Sequence, residues 1–351
     1  SFAAGPRPRA FTQEGVRFIL LPELPTPPLR YLTMLIGGTL LGTWFALRGA
    51  RIIVAQSPYE GAVGALVKGL ARLMGRPAAL VVESHGDFAS VVFQQRRVTF
   101  AGLYRRLMQA SARFALRHAD VLRAVSSTTR DQLAALAPGT PLHQFMAWTD
   151  ASAFRDAPRP VPLSEARDIT YAGVLTPLKG VHHLLAAFAQ IAAEFPDTRL
   201  WLVGKPQNPD YVAQLHQQVE AAGLTGRVQF VGAVEQRDLA GYMGRARVLV
   251  LPSSTEGLAR VLVEAMFCGT PVIASRVGGL PDIVEDGVNG YLVAPGDVPA
   301  LVERLRAVLS DPHIAALGER ARAYAESVFS EAAYREGYRA LLTAALERSA
   351  Q

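Results

Sequence analysis

Apolar runs of strand length alternate with longer stretches of helical period along nearly the whole chain. VRFILLP (Val16–Pro22) predicts a strand, Leu29–Leu47 a helix and RIIVAQS (Arg51–Ser57) a strand. Gly61–Leu73 predicts a helix, AALVVES (Ala78–Ser84) a strand, Leu103–His118 a helix and VLRAVS (Val121–Ser126) a strand. The proline-rich stretch DAPRPVPLSEA (Asp156–Ala166) has no apolar period and interrupts the rhythm, as a linker would. Strands then follow at DITYAGV, TRLWLVG, RVQFVG, ARVLVLPS, TPVIAS and GYLVA. The helices between them are Val181–Ala193, Tyr211–Ala222, Leu239–Gly244 and Arg260–Cys268, with a turn or short helix at Pro281–Val284. Pro299–Leu309, Ile314–Ala325 and Glu331–Glu347 close the chain as helices. Strands alternating with helices imply parallel sheets covered on both faces. The expected class is α/β: two doubly wound domains, at 1–155 and 167–328, joined by 156–166 and followed by a terminal segment, 329–351.

Composition and charge narrow the function. The 351 residues suit two domains. The one cysteine, Cys268, sits in an apolar run, which excludes a disulfide framework and a cysteine zinc site and suits a reducing compartment. Residues 1–160 carry 19 Lys and Arg against nine Asp and Glu, whereas 161–351 carry 17 against 21. Arg96, Arg97, Arg105, Arg106, Arg113, Arg117 and Arg123 supply much of the excess, and a one-sided basic face attracts an anionic surface. No nucleic-acid module accompanies it. Tyr31–Leu47, flanked by Arg30 and Arg48, is at the short limit for a membrane span and is diluted by glycine and threonine. It is expected to be a buried or membrane-grazing helix. The chain begins at Ser1, so an upstream segment is expected to have been removed.

Several chemistries lack their motifs. No G-x-G-x-x-G follows a strand, no P-loop is present and no G-x-S-x-G elbow occurs. The histidines show no metal-ligand spacing, and His182 and His183 are adjacent, so they face different sides of a helix. Two loops at strand ends are more informative. In YAGVLTPLKGVHHLL, Lys179-Gly180 falls where a strand's exit loop enters a helix, a position suited to an anion. Lys179 is one of only three lysines, with Lys68 and Lys205, against 33 arginines. In PSSTEGLARVLVEAMFCGTPVIAS, Glu256 and Glu264 stand eight residues apart. Glu256 lies in the loop before the helix and Glu264 within it, so both can line one crevice while the amides of Gly257 and Leu258 point into it.

These segments resemble the retaining glycosyltransferases of family 4, which have the GT-B fold with an interdomain cleft and a C-terminal helix returning toward the N-domain. The resemblance rests on E-x7-E at Glu256 and Glu264, GTPVIAS, VGGLPDIV, the lysine–glycine loop GVLTPLKG and the histidine loop VESHGD, over roughly residues 15–350. It implies that Glu256 holds donor-sugar hydroxyls near the reacting carbon, Glu264 the ribose, and Lys179 with Gly180 the diphosphate. The amides of Gly257 and Leu258 would also hold the sugar, His85 would face it from the N-domain, and Lys205 and Gly232–Val234 would lie near the base. A lysine with helix amides replaces a divalent metal in such sites, so neither metal nor cofactor is expected.

The chain departs from the family pattern in three places. Val174 stands where an arginine is common, leaving Arg260 as a candidate second cation. AWTDASAF, with Asp150, replaces the usual N-G-V-D turn. The first βα unit has no match before VRFILLP. The expected activity is sugar transfer from a nucleotide diphosphate sugar to a hydroxyl of a glycan, lipid-linked or other small acceptor. Cytoplasmic location, at the inner face of the membrane, goes with it. The alternatives are a non-catalytic nucleotide-sugar-binding or partner protein on the same fold and, third, a sugar-nucleotide epimerase, against which the E-x7-E pairing argues.

Overall fold

The computed structural model describes residues 2–3, 9–13, 15–22, 27–85, 101–148 and 150–349. The chain forms two compact units, Met146–Arg335 and Ser1–Phe145 with Glu336–Gln351. The second begins earlier than the proline-rich stretch suggests. Phe154, ahead of that stretch, is fully buried in the second unit's core, and its carbonyl accepts from Cys268 Sγ at 3.4 Å.

In the first unit β1 (Phe2–Ala3), β2 (Arg9–Gln13) and β3 (Val16–Pro22) form a small sheet ordered β1-β3-β2. The expected strand at Val16–Pro22 is present, but it is not part of the parallel sheet. It pairs antiparallel with β2 through a turn containing Gly15, whose φ of 77° suits a tight hairpin. After α1 (Pro27–Leu47) the parallel sheet begins: β4 (Ile52–Ala55), α2 (Gly61–Leu73), β5 (Ala79–Ser84), α3 (Ala101–His118), β6 (Val121–Ala124), α4 (Ser127–Leu136) and β7 (Leu142–Gln144). Its order is β4-β5-β6-β7. Strand alternation sends Leu80, Val82 and Leu122 to one face, against Leu116 and Leu133. Ala79, Val81 and Val121 go to the other, where the terminal helix supplies Leu341 and Ala345.

The second unit runs α5 (Ser152–Arg155), β8 (Asp168–Ala172), α6 (Val181–Ile191), β9 (Leu200–Val203), α7 (Pro209–Ala221), β10 (Val228–Gly232), α8 (Gln236–Arg245), β11 (Ala246–Leu251), α9 (Arg260–Phe267), β12 (Val272–Ser275), β13 (Tyr291–Val293), α10 (Val298–Ser310) and α11 (Ile314–Val328). The last helix, α12 (Glu331–Ser349), crosses back into the first unit from Glu336 onward. The six strands are all parallel, in the order β10-β9-β8-β11-β12-β13. Every residue of β11 is buried, as expected of a central strand covered on both faces, and each fully buried aliphatic side chain contributes roughly 1.5–3 kcal/mol.

From β8 the sheet grows in one direction through β9 and β10, then restarts on the other side with β11. The order therefore reverses between β8 and β11, and a ligand crevice forms at the carboxyl ends of such a pair. Among the described residues no helix is long and apolar enough to cross a membrane.

Candidate donor-binding site

The loops leaving β8 and β11 carry Lys179 and Glu256, and the switch point brings them together. Lys179 Nζ lies 2.6 Å from Glu256 Oε1, and Ser253 Oγ donates to the same oxygen at 2.7 Å. Both donors reach Oε1, and neither reaches Oε2. The Ser254 amide donates to the Leu178 carbonyl at 2.9 Å, which ties the two loops.

Two glycines allow the close approach. Gly180 has φ 65°, and a Cβ there would stand 2.1 Å from the Pro252 carbonyl oxygen. Gly278, in the loop after β12, has φ 54°, and its Cβ would stand 1.8 Å from the Glu256 carbonyl oxygen. Both positions combine a left-handed backbone with no room for a side chain. The Gly279 amide donates to the Gly257 carbonyl at 2.9 Å, so a third loop braces the glutamate. The amides of Gly257 and Leu258 have no protein acceptor among the described residues.

The helix that follows starts at Arg260, so Glu256 is outside it and Glu264 inside. Glu264 is buried, and burial raises its carboxyl above the ordinary range against the opposing charge of Arg260, 3.7 Å away. Arg260, the second cation expected from the sequence, pairs with Glu264 one helical turn on. The expected anion site at the start of α6 is partly occupied by protein, because the His182 amide donates to the Tyr211 hydroxyl at 3.1 Å. At Val174 the carbonyl accepts from the Tyr171 hydroxyl at 2.9 Å. Burial pushes the Tyr171 phenol up, and the charge of Glu256 adds to it.

Lys205 is brought beside the β8 loop, its carbonyl accepting from the Leu175 amide at 2.9 Å. Val234 follows β10 and lines a cavity of about 730 Å³ with Arg237, Tyr242, Arg245 and Ser152. Neither Lys179 nor either glutamate of the E-x7-E pair lines that cavity. Asp150 accepts from the Ser152 amide at 3.0 Å, turning the chain into α5.

In the first unit His85 leaves the end of β5. Its Nε2 is 2.7 Å from Glu83 Oε2, two residues back on the same side of the strand. Glu83 is held from two further directions. Arg123 Nη1 on β6 donates to Oε2 at 3.1 Å, and the Tyr338 hydroxyl on α12 donates to Oε1. The Arg123 guanidinium also lies 4.2 Å from the centre of the Phe145 ring. Burial alone would raise the Glu83 carboxyl; the hydrogen bonds from His85 and Tyr338 and the charge of Arg123 outweigh it and hold it below the ordinary range. The carboxylate only accepts, so it fixes a proton on His85 Nε2 and orients the ring.

Sequence reasoning missed Glu83, Arg123 and Tyr338, although Glu83 and Arg123 each interrupt an apolar strand. Arg123 is not part of the basic face expected from the sequence: it is fully buried and serves this network. Arg96 and Arg97, Gly86 and Asp87 of the histidine loop, and the side chain of Arg105 lie outside the described residues. Cys268 is buried, and burial pushes its thiol up to about 12.

Two Rossmann-like α/β units in series, the second with a crevice at its switch point, have the GT-B fold. Residues 155–328 match the family described as Glycosyl transferases group 1, and residues 2–145 match the Glycosyl transferase 4-like domain. The chain belongs to this glycosyltransferase family. It is 31% identical over 236 residues to the glycogen synthase of Mycobacterium tuberculosis, covering 66% of this chain and 55% of that one. The chain spans about half the length of the curated relatives it matches.

Two solved structures share the fold. Sucrose-phosphate synthase from Thermosynechococcus elongatus superimposes with a TM-score of 0.72 at 27% identity, covering 98% of this chain and 88% of that one. Anabaena HepE in complex with UDP and glucose does so with 0.69 at 25%, covering 88% and 80%.

Proposed function

We propose that this protein transfers a sugar from a nucleotide diphosphate sugar to a hydroxyl acceptor, with retention at the reacting carbon and without a metal ion. The observation that carries the reading is the Lys179–Glu256 contact at the switch point. Cleavage of the sugar–phosphate bond leaves its electron pair on the diphosphate. A preorganised cation there stabilises that charge as it develops. Lys179 is the cation; without donor its charge is balanced by Glu256. On donor binding the diphosphate takes over Lys179, and Glu256 turns to the sugar hydroxyls through Oε2 and the oxygen released. The Gly257 and Leu258 amides add donors, and Glu264 takes the ribose. The likeness to Anabaena HepE, solved in complex with UDP and glucose, supports a nucleotide-sugar donor. The basic excess of residues 1–160 favours an anionic or lipid-linked acceptor at the cytoplasmic face of a membrane.

Thermal shift with UDP, GDP and ADP and their hexose conjugates identifies the donor, because a ligand of the folded state raises the unfolding midpoint. Glu256→Ala is then expected to lower transfer at least about a hundredfold. Transfer within a few-fold of wild type would sink the assignment. A second reading, nucleotide-sugar binding without transfer, is favoured by Val174, which supplies no cation. Donor stabilisation with neither hydrolysis nor transfer would establish it.

A further inference from the structure

The helix α1 is packed the wrong way round for a surface helix in water. It meets α2 through glycine. A Cβ on Gly38 would lie 3.0 Å from Val63, and one on Gly42 only 2.6 Å from Val67. These small residues let the two helices close up, and the large side chains consequently point elsewhere. Leu29, Leu32, Ile36, Leu40, Trp44 and Leu47 are all exposed, with Ile36 at 54% and Leu40 at 67%. Their spacings of three or four residues place them on one stripe about 120° wide at ~100° per residue. A contiguous exposed stripe of this kind marks a contact surface.

Charge says what the surface meets. α1, α2 and α3 contain no Asp or Glu. On α3, joined to α1 by the Tyr31–Ser111 hydrogen bond, Arg106, Arg113 and Arg117 are exposed beside Leu107 and Phe114. At the far end of α1 the Arg48 guanidinium lies 3.9 Å from the centre of the Trp44 ring. Tryptophan and arginine, each with an apolar body and a polar end, favour the water–lipid boundary. A second copy of this chain is a poorer occupant, because a two-fold contact would set like charges against each other.

We propose that the outward face of α1, with the arginine face of α3, rests in the headgroup region of an anionic lipid bilayer. α1 lies in the plane of the interface, its leucine stripe below the phosphates, and the arginines pair with anionic headgroups. The proposal rests on the transfer reading only for its purpose, which is to bring a lipid-linked acceptor to the enzyme. Binding is measured without turnover, so either can fail alone.

The test uses the full chain with vesicles of phosphatidylcholine, alone or with about a third phosphatidylglycerol. Co-sedimentation with the anionic vesicles is expected, weakening as salt rises. Brominated acyl chains should quench the tryptophan emission, and Trp44→Phe should remove most of the quenching. Ile36→Ser with Leu40→Ser should cut the partition coefficient about tenfold or more while leaving the unfolding midpoint in place, since both side chains are exposed. Each of Arg106→Glu, Arg113→Glu and Arg117→Glu should cut it roughly fivefold or more on anionic vesicles. The proposal is overturned if the protein ignores anionic vesicles at low salt, or if the serine pair binds as well as wild type. It is also overturned if light scattering finds a dimer that the serine pair dissociates, because the stripe would then be covered by a second copy.

Discussion

The buried pair of Arg123 and Glu83 offers a quantitative test. Their side chains are 0% and 1% exposed, with Nη1 3.1 Å from Oε2. With charge centres ~4 Å apart and an effective dielectric constant of ~20, their attraction is about 4 kcal/mol. Arg123→Met keeps much of the side-chain volume but leaves a buried carboxylate with one fewer partner, a change that costs roughly 3–5 kcal/mol. The assay is hydrogen exchange of the peptides containing β5 and β6, which reports on the first unit alone. A loss of that size should accelerate exchange roughly 10²–10³-fold or more where exchange follows global opening. Adding Glu83→Gln removes the stranded charge and should recover much of the loss. The pH dependence follows from the depressed carboxyl. Its stabilisation is present above the unfolded value and fades as pH falls through the folded one, so the gap between wild type and Arg123→Met should narrow in acid. Exchange within threefold of wild type at neutral pH would refute the reasoning.

Gly278→Ala forces a Cβ into the Glu256 carbonyl oxygen and should lower kcat/KM by about a hundredfold or more, with loss of the donor-induced thermal shift. Unchanged turnover would remove Gly278 from the bracing of Glu256. Burial raises the Glu264 carboxyl, so its folded-state stabilisation holds below the unfolded value and is lost as pH rises through the folded one. Glu264→Gln should therefore raise the donor-free unfolding midpoint at neutral pH, with the advantage fading in acid, and weaken donor binding; the wild-type midpoint matching the variant throughout would contradict this. Cys268 should resist a disulfide reagent in the native protein at pH 8 and react on unfolding, since its thiol is buried and pushed up to about 12.

The second unit was readable because its information is local. Each strand is a short apolar run, and the Glu256 loop lies directly between β11 and α9. The meeting of Lys179 and Glu256, 77 residues apart, was accessible only through the family resemblance. The first unit was harder. Periodicity located Val16–Pro22 as a strand but carries no information on which sheet it joins. The helix α4 was missed because its apolar positions are sparse; its start is fixed by Ser126 and Thr129, each side chain bonding the other's amide. The network at His85 was out of reach, since Glu83 finds Arg123 at a separation of 40 residues and Tyr338 at 255. A charged residue within a buried strand signals that a partner exists without saying where it lies.

The return of α12 has a consequence for how the molecule comes into being. Synthesis delivers β4 to β7 early, yet one face of that sheet is covered by Leu341 and Ala345, and Glu83 waits for Tyr338. The ribosome releases those side chains only after the entire second unit has been made. During that interval the first unit presents an uncovered apolar face and a carboxylate short of one donor, so its nascent form is the stage most exposed to aggregation and to chaperones. The second unit, whose core draws on Met146–Arg335, can fold first and wait. A stop codon introduced after Arg335 would remove a small fraction of the chain and leave the histidine-bearing unit permanently at that intermediate stage.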